Sequence, residues 1–578
     1  MGILKSINKK GTDGEYFLTI LFISLFLLFL DFGLSLHLSH ISLPFKISSA
    51  LADSCVIVIL CMFLKGKWRI IWVAAAFLIG IILYVNLLYH RNFEDILQAS
   101  SYLNADLRDP AITDGALSSF KMSDVTFFIL PLCPLGYLLW RRGSALYSQI
   151  GDVYKYVAFA LCLMSWCVSY AGVFRRTSLW NPNESFKKVT SVIFSTESDT
   201  WCRTYEMHNF TGYTVRCILS CFNIGMDLTP SDIEGIKHHL AGKADNLRIP
   251  TDQSTSARKK KNLIMIIVES LPYKVIEKPE AATLMPTIMT VYNDSSTIVS
   301  KCRILADYGR SSDAQFIYNT GLLPLKHEAL VDNYAYNDYP SIAKALSKPS
   351  MEIIGESKGL WLHSLTTKSY GFDMLIDNIA PTGQDQDSII FNRAEMEISR
   401  LESPFFLFIT TITMHDPYDE RKVTDEASYT LLKTDDERDY EYYARLHHFD
   451  KSLGKFLLAL KGKGIYDDSV IVILGDHEIR ASKISASLHD DHVPFIIINS
   501  PLNCRSGLPT TQLDVFPTIL DMMGCEYKYL GVEYTGLGQS VFSTEARSGS
   551  YYKPTDKDFQ VSEMIIKGRP SAKRHHIQ

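Results

Sequence analysis

The first 175 residues and the rest of the chain follow different hydrophobic rhythms. In the first part, apolar runs of nearly bilayer length recur: Tyr16 to Ser35, Ser48 to Leu64, Trp68 to Tyr89, Val125 to Trp140 and Val153 to Phe174. About 20 apolar residues are needed to cross a bilayer as a helix, so the pattern predicts a five-helix transmembrane bundle. The first run is too long for a signal peptide, and four more follow it. From Asn262 onward the rhythm shortens. Leu263 to Val268, Phe405 to Ile412, Val470 to Leu474 and Val493 to Asn499 are apolar runs of strand length, separated by helix-like stretches such as Tyr442 to Lys461. Runs without alternation suit strands buried on both faces. Strand–helix alternation predicts an α/β domain with a mostly parallel central sheet. The boundaries that follow are 1–175 for the bundle, 176–261 for a connector with a polar, basic hinge at Thr251 to Lys261, 262–543 for the α/β domain, and 544–578 for a polar tail ending in Lys573-Arg574-His575-His576. We read the tail as flexible or peripheral.

Charge sharpens the division. The 578 residues average 47% hydrophobic and 21% charged, with net charge −5. Residues 1–175 hold 14 basic and 11 acidic residues, and the remainder holds 44 and 52. Charged residues thus rise from about 14% to about 24%, as expected for a membrane part followed by a soluble one. The slight acidity and the lack of a basic stripe argue against nucleic acid as a partner. Lys5, Lys9 and Lys10, then Lys65, Lys67 and Arg69, then Arg141 and Arg142 fall on one side of a five-span bundle. That side is cytoplasmic by the positive-inside rule, which exports everything after Phe174. Asp31 and Asp53 lie toward the outer ends of their spans, where a carboxylate reaches the interface. Of 11 cysteines, Cys202, Cys217, Cys221, Cys302, Cys504 and Cys525 fall outside the bundle. Disulfides are permitted there, but the spacing gives no connectivity.

In open α/β sheets ligands gather beyond the C-terminal strand ends, so the residues after each run are informative. Glu269 follows the first run. His415-Asp416-Pro417-Tyr418 follows the second, and Gly475-Asp476-His477-Glu478 the third. His489, Asp490, Asp491 and His492 precede the fourth, and Gly309-Arg310-Ser311-Ser312-Asp313 lies in a loop. Singly, each has an ordinary reading: a solvated carboxylate, a surface dipeptide, a helix cap. Together they form a mixed oxygen and nitrogen ligand set suited to Zn²⁺ or Mn²⁺.

The order strand–Glu-Ser, Gly-Arg-Ser-Ser-Asp, Met-His-x-Pro-Tyr and strand–Gly-Asp-His resembles the alkaline phosphatase/sulfatase superfamily. Lys461-Gly462-Lys463-Gly464-Ile465-Tyr466-Asp467-Asp468 and Asp514-Val515-Phe516-Pro517-Thr518 match as well. With the N-terminal spans, the chain is most similar to the lipoteichoic acid synthase-like branch, and also to phosphoethanolamine transferases. The resemblance implies an alkaline-phosphatase-like (sulfatase) fold. It implies that Glu269, Ser311, Asp476 and His477 bind one or two divalent ions (Mn²⁺, Zn²⁺ or Mg²⁺), with Ser311 also the nucleophile. A one-residue slip in the alignment would choose Ser312 instead. His415 would contact the phosphoryl oxygens or protonate the leaving group, and Arg310 would stabilise transferred charge. Trp361-Leu362-His363 stands where the family has a Trp-x-Arg phosphate clamp, which makes Trp361 and His363 substrate-binding candidates although His cannot reproduce an Arg fork. His492, in His-Val-Pro, would place an imidazole near the phosphoryl group or a second metal. A true sulfatase is disfavoured, since Cys302 lacks the Cys-x-Pro-x-Arg setting.

The expected activity is a membrane-anchored phosphotransferase. It would move glycerol phosphate or ethanolamine phosphate from a bilayer phospholipid to a glycan or lipid acceptor through a phosphoserine. A phosphodiesterase or phosphatase of the same fold, and a catalytically inactive binding protein, are the alternatives. The sequence leaves the oligomeric state open.

Overall fold

The computed structural model describes residues 12–36, 43–64, 66–93, 96–97, 119–176, 205, 209–215, 217–218, 225–243, 254–326, 328–418, 420–430, 437–479, 484–503, 507–543, 551 and 553–570. Side chains at 92–93, 168–176, 332, 437, 486 and 569–570 are outside the description. The chain divides into two compact units, Met1–Leu103 with Asp114–Asn223, and Asn104–Thr113 with Ile224–Gln578.

The first unit is helical. Its longer helices are α1 (Asp13–Ser35), α2 (Leu43–Met62), α3 (Ile70–Phe93), α4 (Leu132–Trp140) and α5 (Asp152–Arg176). Thr12 and Glu15 close a capping box at the start of α1, which satisfies two otherwise orphaned N–H groups. Three helices among the described residues are long and apolar enough to cross a membrane: Asp13–Ser35, Leu43–Met62 and Gly66–Arg91, with mean hydropathy 2.5, 1.8 and 2.5. The fourth predicted run is not one straight helix. Met122–Ile129 and Leu132–Trp140 meet at 47°. Pro131 sits at the break, where its ring and missing N–H oppose a continuous helix. The fifth run lies within α5, whose side chains from 168 onward are outside the description. Among the described residues the structure supports three spans, or four if the bent pair is one, and the fifth expected span is not tested.

The two acids noted in the predicted spans, Asp31 and Asp53, have structural partners. Asp53 is buried and accepts from Phe210 N (3.0 Å), Thr211 N (2.9 Å) and Thr211 Oγ1 (2.7 Å). Asp31 accepts from Thr126 Oγ1 at 2.5 Å.

The second unit is built on eight strands: β1 (Asn262–Val268), β2 (Ile298–Arg303), β3 (Ser350–Ile353), β4 (Met374–Ile376), β5 (Phe406–Thr410), β6 (Ser469–Gly475), β7 (His492–Ile498) and β8 (Thr510–Thr511). The spatial order is β4-β3-β5-β1-β6-β7-β2-β8. Every pairing is parallel except those of β7, which runs against both β6 and β2. Each residue of β1 and β6 is buried. Leu263, Met265 and Ile267 enter one core, while Ile264, Ile266 and Val268 enter the core on the opposite face. That two-sided burial is why these runs show no alternation. Truncating one such residue to Ala would cost about 2–5 kcal/mol.

Helices α6 (Pro230–Ala241), α7 (Ser311–Thr320), α8 (His363–Ser369), α9 (Gln386–Ile398), α10 (Glu437–Gly462), α11 (Val515–Met523) and α12 (Asp556–Lys567) complete the unit. α12 corrects the reading of the tail as flexible or peripheral. Its Val561, Met564, Ile565 and Ile566 are buried in the core, and Gly568–Pro570 pairs in parallel with Met226–Leu228. The apolar residues occupy one helical face, so overall polarity conceals a packed amphipathic helix. Cys302, Cys525 and, in the first unit, Cys217 are buried and form no disulfide among the described residues. Cys202, Cys221 and Cys504 lie outside the described residues.

Candidate metal and nucleophile site

Strand register creates the acidic pair. β1 and β6 are neighbours with Val268 opposite Gly475, so the next residues, Glu269 and Asp476, leave the sheet side by side. Gly475 is required by close packing, because a Cβ there would lie 2.6 Å from Leu271 O and 2.7 Å from Val493 Cβ. Glu269, Asp476 and His477 are buried, and each offers a ligand atom within 4.8 Å of the others. His477 Nε2 is 3.6 Å from Glu269 Oε1 and 3.5 Å from Asp476 Oδ2.

Ser311 completes the group. Its Oγ lies 3.2 Å from Glu269 Oε2 and 3.0 Å from His477 Nε2. Ser312 faces away, donating its Oγ–H to Gly309 O at 2.7 Å. Two features set this geometry. Asp313 Oδ2 accepts from Asp307 N (3.1 Å) and Gly309 N (2.9 Å). Arg310, half-buried at the head of α7, has φ 46°, a costly conformation for a non-glycine residue that the surrounding contacts must hold.

The electrostatics call for a cation. Burial, reinforced by the charge of Glu269, pushes the Asp476 carboxyl up to about 6. Burial also works against the Glu269 carboxylate, but His477 and His415 outweigh it and hold Glu269 below the usual range. Asp476 Oδ1 accepts from Ser270 N (2.8 Å) and His477 N (2.7 Å). Its Oδ2 is buried with no hydrogen-bond partner among the described residues. His477 Nδ1 lies 2.8 Å from Glu478 O. A carbonyl only accepts, so Nδ1 carries a proton and Nε2 is the nitrogen that would give a lone pair to a bound ion. Two carboxylates, one imidazole lone pair and one hydroxyl fit a divalent ion of the Zn²⁺ or Mn²⁺ type.

The other predicted residues divide. His415 is half exposed at the end of the β5 loop, with Nδ1 2.5 Å from Asp416 O, and its charge acts on Glu269. His492 is the first residue of β7. Because β7 is antiparallel, its start lies at the edge where the parallel strands end. Continuing the Leu474–Phe495 pairing by three positions reaches His477 and His492. Trp361 (φ 51°) is half-buried against the core. His363 is 2% exposed, with Nδ1 3.3 Å from Glu352 Oε1 and Nε2 3.7 Å from Glu356 Oε1. The structure therefore turns both of its nitrogens toward carboxylates.

Several supporting residues were given no role by the sequence. Ser270 donates its hydroxyl to Glu269 Oε1 at 2.7 Å, and Thr411 Oγ1 receives Glu269 N at 3.1 Å. Gln512 donates to Asp476 O (2.7 Å) and Tyr318 OH (2.9 Å), and accepts from Leu305 N (2.7 Å) and Ala306 N (2.8 Å). Arg445 is buried and donates to His415 O (2.6 Å), Pro417 O (2.9 Å) and Glu420 O (2.8 Å). The only sequence signal for these was proximity to a strand end for Ser270 and Thr411.

Residues 308–525 match the Sulfatase family, and residues 3–188 match the Lipoteichoic acid synthase N-terminal domain. The Sulfatase match contains Ser311, His415, Asp476, His477 and His492 and begins after Glu269. A lipoteichoic acid synthase of Staphylococcus saprophyticus is 24% identical over 586 residues, covering 94% of this chain and 86% of that protein. A lipoteichoic acid synthase of Staphylococcus aureus is 25% identical over 522 residues, covering 83% and 76%. The crystal structure of the lipoteichoic acid synthase LtaP from Listeria monocytogenes is similar at TM-score 0.41 and 18% identity, covering 56% of this chain and 95% of that one. The chain thus carries a region matching the Lipoteichoic acid synthase N-terminal domain, residues 3–188, ahead of a region matching the Sulfatase family, residues 308–525.

Proposed function

We propose that the protein is a membrane-anchored phosphotransferase that moves glycerol phosphate from a membrane phospholipid to a hydroxyl of a glycan or lipid acceptor. The observation that carries this reading is the placement of Ser311 Oγ within 3.2 Å of Glu269 and 3.0 Å of His477, against a buried acidic pair. The relatives named lipoteichoic acid synthase span most of the chain and support the substrate class. The lipid donor explains the apolar helices, since an enzyme tethered to the bilayer meets its donor at high effective concentration. The sulfatase domain works on the extracytoplasmic side.

A divalent ion held by Glu269, Ser311, Asp476 and His477 would lower the pKa of the serine hydroxyl and neutralise charge on the phosphoryl oxygens. Ser311 Oγ gives up its proton to solvent and attacks phosphorus, the lipid oxygen–phosphorus bond breaks, and diacylglycerol leaves with a proton from His415. Arg310 balances charge on the phosphoryl group. In the second step the acceptor oxygen attacks the phosphoserine and Ser311 is released.

Purified protein, phosphatidylglycerol labelled in its headgroup and Mn²⁺ should yield diacylglycerol and a glycerophosphorylated Ser311 peptide, both lost in Ser311→Ala. Release of phosphate from soluble esters without diacylglycerol from phosphatidylglycerol would reject the transferase. Free glycerol phosphate produced at the same rate with and without acceptor would identify a hydrolase.

A further inference from the structure

We propose that Asp387, in the first turn of α9, is a positioning residue for His415, holding the loop that carries this imidazole from the end of β5. The inference rests on the transferase reading above, in which His415 protonates the lipid oxygen. Burial disfavours the Glu269 carboxylate, and the charges of His477 and His415 overcome it. The His415 ring thus stands close enough to the acidic pair to act on it. The ring is half exposed, so a substrate oxygen can reach it. Its backbone belongs to neither strand nor helix. β5 ends at Thr410, and residues 411–415 need partners other than the sheet to hold one conformation.

Asp387 supplies them. Its Oδ1 accepts from Ile412 N at 2.8 Å and Thr413 N at 3.0 Å, and its own N–H donates to Thr413 Oγ1 at 2.8 Å. His415 N then donates to Ile412 O at 2.9 Å, closing a turn whose first two residues Asp387 has fixed. Asp387 is 0% and Thr413 1% exposed, so water does not compete for these hydrogen bonds. The clamp is itself anchored. Ile390, Phe391, Ala394 and Ile398 seat α9 in the core, and the Phe391 ring stacks on that of Phe456 in α10, 5.1 Å away between centroids. At the other end of the loop, Arg445 of α10 donates to His415 O at 2.6 Å. Two packed helices therefore grip the loop on either side of the turn. In the first half-reaction Ser311 Oγ loses its proton to solvent and bonds to phosphorus. The lipid oxygen–phosphorus bond breaks, a His415 proton passes to that oxygen, and His415 regains one from solvent. Such a transfer is worth about 10²–10⁴-fold, and a misplacement of about 1 Å can cost about 10²-fold.

The test uses the full-length protein in detergent with Mn²⁺ and follows the glycerophosphoryl adduct on Ser311. Two donors are compared: phosphatidylglycerol, whose leaving oxygen needs a proton, and the p-nitrophenyl ester of glycerol phosphate, whose leaving group departs as a stable anion. Asp387→Ala should slow adduct formation from phosphatidylglycerol at least tenfold and from the p-nitrophenyl ester less than twofold. Asp387→Asn keeps a carbonyl oxygen for the two amides and should recover most of the loss. The double variant with His415→Ala should be no slower than His415→Ala alone. Hydrogen exchange of the peptide spanning 411–416 should be at least tenfold faster in Asp387→Ala, while Mn²⁺ affinity stays within threefold of wild type. If Asp387→Ala does not fold, Thr413→Val, which removes the partner of Asp387 N, should show the same donor preference with at least a threefold loss. Equal losses on both donors, losses that multiply in the double variant, or unchanged exchange overturn the proposal. If the wild type forms no adduct from phosphatidylglycerol, the transferase reading fails. The exchange rates, and the methyl ester compared with the p-nitrophenyl ester, then still decide whether Asp387 positions His415.

Discussion

Replacing His363 by Leu tests whether charge, rather than shape, holds the second buried acidic cluster. His363, Glu352 and Glu356 are 2%, 1% and 5% exposed. Both ring nitrogens face carboxylate oxygens, at 3.3 and 3.7 Å, and only a doubly protonated imidazole offers N–H to both. Burial alone would lower the imidazole pKa, but the two carboxylates overcome it and raise it to about 10. The unfolded value is about 6.5. A raised folded value stabilises fully below pH ~6.5, weakens as pH rises, and is spent above about 10. At pH 7.5 about 2.5 pH units of the difference remain, or about 3 kcal/mol at 1.36 kcal/mol per unit. His363→Leu should therefore lower Tm by about 6 °C at pH 7.5, taking about 2 °C per kcal/mol for a large domain. The triple variant with Glu352→Gln and Glu356→Gln added should recover most of that loss, since an uncharged cluster leaves no unpaired buried ion. Wild type should also lose stability relative to the triple variant between pH 7 and 9.5. Thermal unfolding of the full-length protein, followed by tryptophan fluorescence, reads all three. Equal losses in the single and triple variants, with no pH-dependent difference, would show that the cluster acts through packing alone and refute the charge argument.

Three further outcomes follow from the same structure. Ser312→Ala should keep transfer within about threefold of wild type and cost about 1 kcal/mol for its buried hydrogen bond, whereas Ser311→Ala should abolish the covalent adduct at unchanged Tm; adduct mass and Tm measure both. Gln512→Leu strips partners from Asp476 O, Tyr318 OH, Leu305 N and Ala306 N. At about 1–3 kcal/mol for each buried group left unsatisfied, Tm should fall by at least 6 °C and Mn²⁺ affinity by at least tenfold, read by titration calorimetry. The Asp558 carboxyl is opposed by burial, but Thr555, His239 and Lys243 bring it down to about 2. Its contribution is present above the usual carboxylate range and lost as pH falls through about 2, and Asp558→Ala should cost about 1–2 kcal/mol of capping and speed proteolysis within α12 at neutral pH.

The central sheet was legible because its strands are buried on both faces. The run at 263–268 became β1 (Asn262–Val268), that at 470–474 became β6 (Ser469–Gly475), and that at 493–499 became β7 (His492–Ile498). Uniform burial leaves an uninterrupted apolar run, and that run also marks where the chain leaves the sheet. The direction of β7 was not legible, since an apolar run reads alike both ways. Only its antiparallel pairing brings the first residue of β7, rather than its last, to the edge shared with Asp476. The short strands β3 and β4 were missed for another reason. At four and three residues they are too brief for periodicity, and Glu352 within β3 looks like an ordinary solvated position. The break at Pro131 and the burial of α12 were likewise hidden, because composition averaged over a segment discards the angular distribution of its side chains.

The same limit explains why candidate ligands were easier to find than the groups that hold them. Glu269 and Asp476 follow strand ends, a local fact; Gln512 matters only because its amide reaches a carbonyl 36 residues away in sequence and two amides more than 200 residues away. It also explains how two acidic pairs in one domain acquire different uses. Beside Glu269 and Asp476, the imidazole of His477 commits Nδ1 to Glu478 O and turns Nε2 toward the pair, where a bound divalent ion would add positive charge. Beside Glu352 and Glu356, the imidazole of His363 has carboxylates at both nitrogens and supplies the positive charge itself. The chemistry of each pair is thus set by what the far nitrogen of its histidine faces: an acceptor without charge leaves a ligand, and a second anion makes a counter-ion.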